Sequence, residues 1–73
     1  MDWNKIVGAN VRRLRVERKL TQEQLAHDAE IDVTYLRGIE AGRRNPSVAV
    51  IGRLARCLAV KPQHLFEHAP QTC

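Results

Sequence analysis

Apolar residues recur at intervals of three and four along most of the chain, which is the spacing of one face of an α-helix. The first series of this kind consists of Trp3, Val7, Val11 and Leu14. It predicts a helix over about residues 3–18. Thr21 and Gln24 then have the spacing of a capping box, in which each side chain accepts a hydrogen bond from the backbone of the other residue. They predict a second helix over about residues 21–29.

Cap residues and apolar spacing predict two further helices in the middle of the chain. Asp32 is a candidate N-cap and Gly42 a candidate left-handed stop for a helix over about residues 32–41. Ser47 is the candidate N-cap of the next helix, over about residues 47–59. The apolar series of that helix consists of Val48, Ile51, Ala55 and Leu58.

The last predicted element is a short fifth helix. Pro62 suits a first-turn position, and Leu65 and Phe66 supply apolar contacts. Residues 69–73 are expected to form a flexible tail after a domain of residues 1–68. No alternating strand pattern is present, so the sequence predicts an all-α fold, a compact five-helix domain.

The second and third predicted helices are joined by only about three residues, 29–31, so the chain turns sharply between them. Ala26 and Ala29 are small enough for such a close crossing. The side chains that can point inward together are those of Leu25, Ala29, Ile31, Leu36 and Ile39. The opposite face of the third helix then carries Val33, Thr34, Arg37, Gly38 and Ala41. Such a face can enter a major groove of DNA.

Composition narrows the classes of protein. A chain of 73 residues allows one small domain, and its 44% hydrophobic content excludes a wholly disordered tail. The one serine, Ser47, occupies a capping position, and no paired carboxylates or phosphate-binding glycine loop indicate an enzyme. Cys57 and Cys73 are a poor disulfide framework, so a second subunit is expected to add stability. The N-terminus lacks the apolar run of a signal peptide and no segment has the length of a membrane span, which indicates a cytoplasmic protein with no membrane partner.

Charge indicates the kind of partner. The net charge of +4 favours an anionic partner without identifying one. The basic residues are concentrated at both ends, because residues 20–36 contain acidic side chains but no Lys or Arg. The order along the chain is therefore basic, acidic, basic.

One long segment resembles a known family. TQEQLAHDAEIDVTYLRGIEAGRRNPS is similar to the helix-turn-helix core of the phage lambda repressor and Cro-like family, and the resemblance extends over roughly residues 6–66. Short members with a TYLRGIEAGRRNPS-like stretch include the controller proteins of restriction-modification systems, and phage and host repressors share much of this string. The family usually has glycine where this chain has Lys19, Glu30 and Ala59, so these positions either absorb strain or turn differently.

The resemblance implies that the third helix reads bases. Arg37 is the one long donor in the middle of that face, and a guanidinium can bond O6 and N7 of guanine together. A solvated surface charge is the alternative role of Arg37. Thr34 and Val33 are short enough to meet a thymine methyl group or, for Thr34, a base edge or a phosphate. Their alternative role is to start the helix.

The resemblance also implies phosphate contacts around the reading helix. Gln22 lies in the first turn of the second helix, where free backbone N–H groups favour a phosphate. Arg43, Arg44 and Asn45 follow the reading helix, in the loop that family members place on the sugar-phosphate backbone. Tyr35 either donates its hydroxyl to a phosphate or leans on its apolar neighbours.

Two further sets of residues have structural roles. The resemblance implies an ion pair between Arg15 and Glu40 that links the first helix to the end of the third. The fourth helix has a wider apolar arc than one contact requires, which predicts a homodimer interface. The residues predicted for this interface are Val50, Leu54, Cys57, Leu65 and Phe66.

The sequence indicates no cofactor, metal or small-molecule ligand. His64 and His68 have a spacing that can hold a metal, but no third ligand has a well-fixed position. The predicted function is a homodimeric transcriptional regulator that binds a near-palindromic operator in double-stranded DNA, with a restriction-modification controller protein as its specific form. The alternatives are a phage or host repressor and a protein-binding helix-turn-helix module, for instance the folded part of an antitoxin.

Overall fold

Four α-helices and one 3₁₀ helix form the part of the chain that this computed structural model describes, residues 1–68. In chain order the α-helices are α1 (Trp3–Glu17), α2 (Gln22–Ala29), α3 (Val33–Glu40) and α4 (Val48–Cys57). The fifth predicted helix is a 3₁₀ helix of five residues, Pro62–Phe66, so the structure has four α-helices where the sequence predicted five. No strand is present within residues 1–68. The predicted tail, residues 69–73, lies outside the described residues.

α2, α3 and α4 start at the capping residues that the sequence predicted, Thr21, Asp32 and Ser47. The Thr21 hydroxyl accepts a hydrogen bond from the Gln24 backbone N–H at 3.0 Å, and the Gln24 side chain accepts one from the Thr21 N–H at 2.8 Å. The Asp32 carboxylate accepts from the N–H of Thr34 at 2.7 Å, and the Ser47 hydroxyl caps α4 in the same way. These side chains satisfy backbone donors that a helix start leaves without partners, which confirms the predicted caps.

The three positions where the family usually has glycine adopt a left-handed backbone. Lys19, Glu30 and Ala59 have φ angles of 59°, 60° and 59°. Each follows a helix end, where a left-handed residue lets the chain reverse. A side chain in this conformation is strained by about 1–2 kcal/mol, so this chain keeps the turn and absorbs the strain.

All five elements contribute to one apolar core. Its fully buried members include Val11 from α1, Leu25 from α2, Leu36 and Ile39 from α3, Leu54 from α4, Leu58 directly after α4, and Leu65 from the 3₁₀ helix. Gly8 allows α1 to cross the end of α3, because a Cβ atom there would overlap the backbone carbonyl of Ile39. Asn10 fixes the C-terminal segment onto α1 by donating to the Leu65 carbonyl at 2.9 Å and to the Glu67 carbonyl.

The core corrects the predicted dimer interface. Val50, Leu54 and Leu65 are 6%, 0% and 0% exposed within a single chain, so they stabilise the monomer and present no surface to a partner. α2 and the 3₁₀ helix both pack against α4 and cover most of its wide apolar arc, while Val48 at its start stays exposed. Within residues 1–68, no helix is long and apolar enough to cross a membrane.

Candidate nucleic-acid interface

The turn between α2 and α3 fixes the orientation of α3. Glu30, in the left-handed conformation, ends α2, and the N–H of Ile31 then donates to the Ala26 carbonyl at 2.9 Å. Ala26 and Ala29 are buried, which allows the close approach that the sequence predicted for them. Since the inner side of α3 is held by Leu36 and Ile39 in the core, its outer side faces solvent.

Fewer residues are exposed on the outer side of α3 than the sequence predicted. Thr34 and Arg37 are exposed, as a base-reading surface requires. Val33 and Tyr35 are half-buried and pack against the core, so only part of each side chain is accessible. Gly38 is buried, which corrects its predicted place on the reading face.

Gly38 instead anchors the basic loop that follows α3. Its carbonyl accepts the backbone N–H groups of Arg43 and Arg44 at 2.9 and 3.2 Å. The aliphatic part of the Arg44 side chain lies where a Cβ atom on Gly38 would be, so only glycine fits there without displacing it. The loop is thereby folded against α3, and Arg43, Arg44 and Asn45 are all exposed beside the outer side of that helix.

Arg15 and Glu40 connect α1 to the end of α3. Arg15 binds both carboxylate oxygens of Glu40, with Nε at 2.7 Å and Nη2 at 3.1 Å, and its Nη1 donates to the Leu20 carbonyl at 2.9 Å. The two side chains are 13% and 4% exposed. A buried, bidentate pair of this kind has a structural role, since little of it is accessible to a ligand.

Gln22 extends this ion pair to the outer side of α3. Its Nε2 donates to Glu40 Oε1 at 3.0 Å, and its Oε1 accepts from Arg37 Nε at 3.3 Å. One of the two Nε2 donors is therefore already used, which leaves the other available to a phosphate. The prediction treated Gln22 as an independent phosphate ligand, whereas the structure places it between two charged residues.

Sequence reasoning missed Glu23 altogether. Its carboxylate accepts from Arg37 Nη2 at 3.1 Å, so Arg37 is held by the first two residues of α2. The pair is exposed, with 50% of the Arg37 side chain and 66% of the Glu23 side chain accessible. The only available signal was the predicted turn itself, which brings the start of α2 next to the middle of α3.

The remaining cations on this side of the molecule are not neutralised in the same way. Within residues 1–68, neither Arg43 nor Arg44 forms an ion pair, while Arg37 does. The basic loop therefore presents two charges that an anion can neutralise, next to an arginine whose direction is fixed by its neighbours. Phosphate groups suit the former and a planar hydrogen-bonding edge suits the latter.

The last two residues predicted for dimer contact differ in their surroundings. Phe66 is 40% exposed and lies against Trp3, which is 50% exposed, with ring centroids 6.3 Å apart and an interplanar angle of 58°. Cys57 is half-buried, and burial, with a smaller effect of Asp28, raises the pKa of its thiol. Cys57 therefore behaves as a small core residue, and Phe66 is the member of the predicted set with a large exposed apolar surface.

Known proteins resemble this chain in sequence and in fold. The family model described as helix-turn-helix matches residues 11–65. An uncharacterized HTH-type transcriptional regulator, y4dJ of Sinorhizobium fredii, is 40% identical over 72 residues, which cover 99% of this chain and 94% of the relative. The control protein C.BamHI of Bacillus amyloliquefaciens is 33% identical over 63 residues, 85% of this chain and 78% of that protein. The crystal structure of the restriction-modification controller protein C.AhdI from Aeromonas hydrophila has a TM-score of 0.83 and 38% identity, covering 86% of this chain and 96% of that chain.

Proposed function

This chain belongs to the helix-turn-helix family of DNA-binding transcription regulators, and on that premise we propose that it binds one DNA sequence specifically and regulates transcription by occupying promoter DNA. The observation that carries the proposal is the exposed side of α3, which holds Arg37 beside two arginines that have no ion-pair partner in the described chain. This arrangement combines one directed donor with a phosphate-binding loop. Proteins that bind DNA sequence-specifically use contacts to base edges for specificity and contacts to phosphates for orientation.

The proposal divides the work between two groups of side chains. Arg37 and Thr34 contact base edges, and the accessible part of Val33 contacts a thymine methyl group. The phosphate contacts are made by the residues around α3, which are Gln22, Tyr35, Arg43, Arg44 and Asn45. The first group decides which sequence is bound, and the second supplies affinity that depends on salt concentration.

A homodimer of this small DNA-binding domain presents two copies of α3 to the DNA. Two-fold symmetry places the two reading helices about one DNA turn, roughly 34 Å, apart on a near-palindromic operator. We place the contact between subunits at Phe66 and its neighbour Trp3, because these aromatic rings pack on each other and remain partly exposed. Aromatic residues are enriched in the cores of protein interfaces.

Similarity to two controller proteins supports a controller role in a restriction-modification system as the specific form of this function. The role predicts that the selected operator lies upstream of a linked endonuclease or methyltransferase gene.

Selection of bound duplexes from a random DNA library tests the proposal. We expect a near-palindromic consensus, tighter binding to it than to a shuffled sequence, and a mass of two chains on the operator in sedimentation. A chain that enriches no sequence would be a protein-binding module instead, and the proposal would fail. Phe66→Ala should lower the dimer fraction and leave the helical content of the monomer unchanged.

A further inference from the structure

Arg37 uses only one edge of its guanidinium group within the protein. Nε donates to Gln22 and Nη2 donates to Glu23, and these two nitrogens form the side-on edge of the group. The other edge consists of Nη1 and the second N–H of Nη2. No residue within 1–68 accepts a hydrogen bond from Nη1.

The free edge is the one that a base-reading arginine needs. A guanidinium presents its N–H donors in a rigid planar fork, and two parallel N–H groups can bond O6 and N7 of guanine. An arginine with no neighbours must lose rotamer freedom to reach that geometry. Holding the side-on edge restricts this freedom before DNA binds, which is the general effect of preorganisation.

Glu23 is well placed to hold that edge. It lies in the first turn of α2, where the helix N-terminus stabilises a negative charge. Glu23 and Gln22 together form a clamp on Arg37. Gln22 donates to Glu40, which is buried against Arg15. The position of the Arg37 side chain is thus tied through two side chains to the core of the domain.

We propose that Glu23 is a positioning residue for DNA recognition, which holds the side-on edge of Arg37 so that the opposite edge is presented to a guanine. This inference rests on the proposed function, since it concerns the residue that reads the base. The proposal predicts a loss of discrimination between base pairs, which charge effects alone do not predict. Removing an acidic residue from a DNA-binding surface raises affinity for every sequence, whereas removing the clamp also lowers discrimination at one base pair.

The test compares Glu23→Ala with Glu17→Ala in the full chain. Glu17 is a matched control because it is also an exposed carboxylate paired with an arginine, Arg13, at 3.4 Å, and it lies on α1. Binding is measured to the selected operator and to its single base-pair variants. Glu23→Ala should lower discrimination at the position read by Arg37 by about two- to fivefold, the range that an exposed ion pair provides. Glu17→Ala should leave discrimination unchanged.

Two further variants separate positioning from charge. In an Arg37→Ala background, Glu23→Ala should change discrimination no further, because the side chain it positions is absent. Glu23→Gln retains a carbonyl acceptor without the charge and should retain part of the discrimination. Equal discrimination in wild type and Glu23→Ala, or an equal change at every base pair, would overturn the proposal.

A measurement without DNA keeps this inference distinct from the proposed function. In NMR spectra of the free protein, the Nε–H signal of Arg37 should show restricted guanidinium motion in wild type and Glu17→Ala, and averaged motion in Glu23→Ala. No difference at Arg37 would overturn the clamp even if the protein binds an operator. A wild-type chain that selects no sequence but shows the NMR difference would overturn the proposed function and the reading role of the clamp together, while the clamp itself would stand.

Discussion

Replacing Arg15 by alanine should unfold much of this domain before it affects any DNA contact directly. The substitution removes both N–H donors that Arg15 directs at Glu40 and the one it directs at the Leu20 carbonyl. The Glu40 side chain is only 4% exposed, so its carboxylate would stay buried after the substitution. Gln22 would then be its remaining side-chain hydrogen-bond donor. Breaking a buried pair in this way costs about 3–5 kcal/mol.

That cost is comparable to the whole stability of a domain of this size, which is about 3–5 kcal/mol. In a domain of 60–100 residues each kcal/mol shifts the melting temperature by about 4–8 °C. We therefore expect Arg15→Ala to melt at least about 12 °C below wild type, or to lack a folded baseline at 25 °C.

Circular dichroism during heat and urea unfolding measures this effect. Glu17→Ala is the control, because its exposed pair with Arg13 should contribute no more than about 0.5 kcal/mol. The double variant Arg15→Met/Glu40→Leu should recover most of the loss, since no unpaired charge then remains in the interior. A fully folded Arg15→Ala protein that has lost only DNA binding would refute the structural role of the pair.

Four further predictions concern stability and binding. Glu30→Gly should raise the free energy of unfolding by about 1 kcal/mol, because glycine adopts the left-handed backbone without strain; an unchanged or lower melting temperature would contradict this. Gly8→Ala should lower the free energy of unfolding by about 1–3 kcal/mol because its Cβ overlaps the backbone of α3, and urea titration would show no shift if α1 can move away. Asn10→Ala should lower it by about 1–3 kcal/mol by leaving the buried Leu65 carbonyl without the Asn10 donor, with hydrogen exchange increasing first in the C-terminal segment. Arg43→Ala or Arg44→Ala should weaken binding to all sequences and reduce the slope of log K against log salt by about 0.9, so a change confined to one base pair would count against a phosphate contact.

The features that depend on neighbouring residues were predictable from the sequence. The caps at Thr21, Asp32 and Ser47 form because a short polar side chain binds a backbone N–H two or three residues further on. At Lys19 and Glu30 the expectation of a left-handed turn or strain came instead from the resemblance, since the family usually has glycine there, and the structure shows the turn. Spacing within one helix also identified most of the core.

The features that depend on what covers a surface were not predictable in the same way. A second apolar stripe on α4 shows that something packs there, but not whether the cover is a partner or the same chain. Leu54 and Leu65 are both buried inside one monomer, because the 3₁₀ helix packs against α4. Gly38 was assigned to the reading face by its angular position, and it is buried because the chain folds back over it after Gly42.

Charge along the chain was also an incomplete guide to charge in space. Glu23 belongs to the acidic segment and Arg37 starts the basic one, and they lie 14 residues apart in sequence. The turn between α2 and α3 brings Arg37 Nη2 to 3.1 Å from Glu23 Oε2. Helical spacing placed Arg37 on the exposed side of α3, but its partners Gln22 and Glu23 could be identified only from the relative positions of two helices.

The central claim is that α3 reads a base through Arg37 while the loop after it holds phosphates. The most direct test is to measure wild-type and Arg37→Ala binding to the selected operator and to every single base-pair variant of it at one salt concentration. Our account predicts that Arg37→Ala loses about 1–3 kcal/mol of discrimination at one guanine in each half-site and keeps the other preferences. A uniform loss across all positions, with every base preference intact, would show that Arg37 contacts only phosphate and would contradict the account.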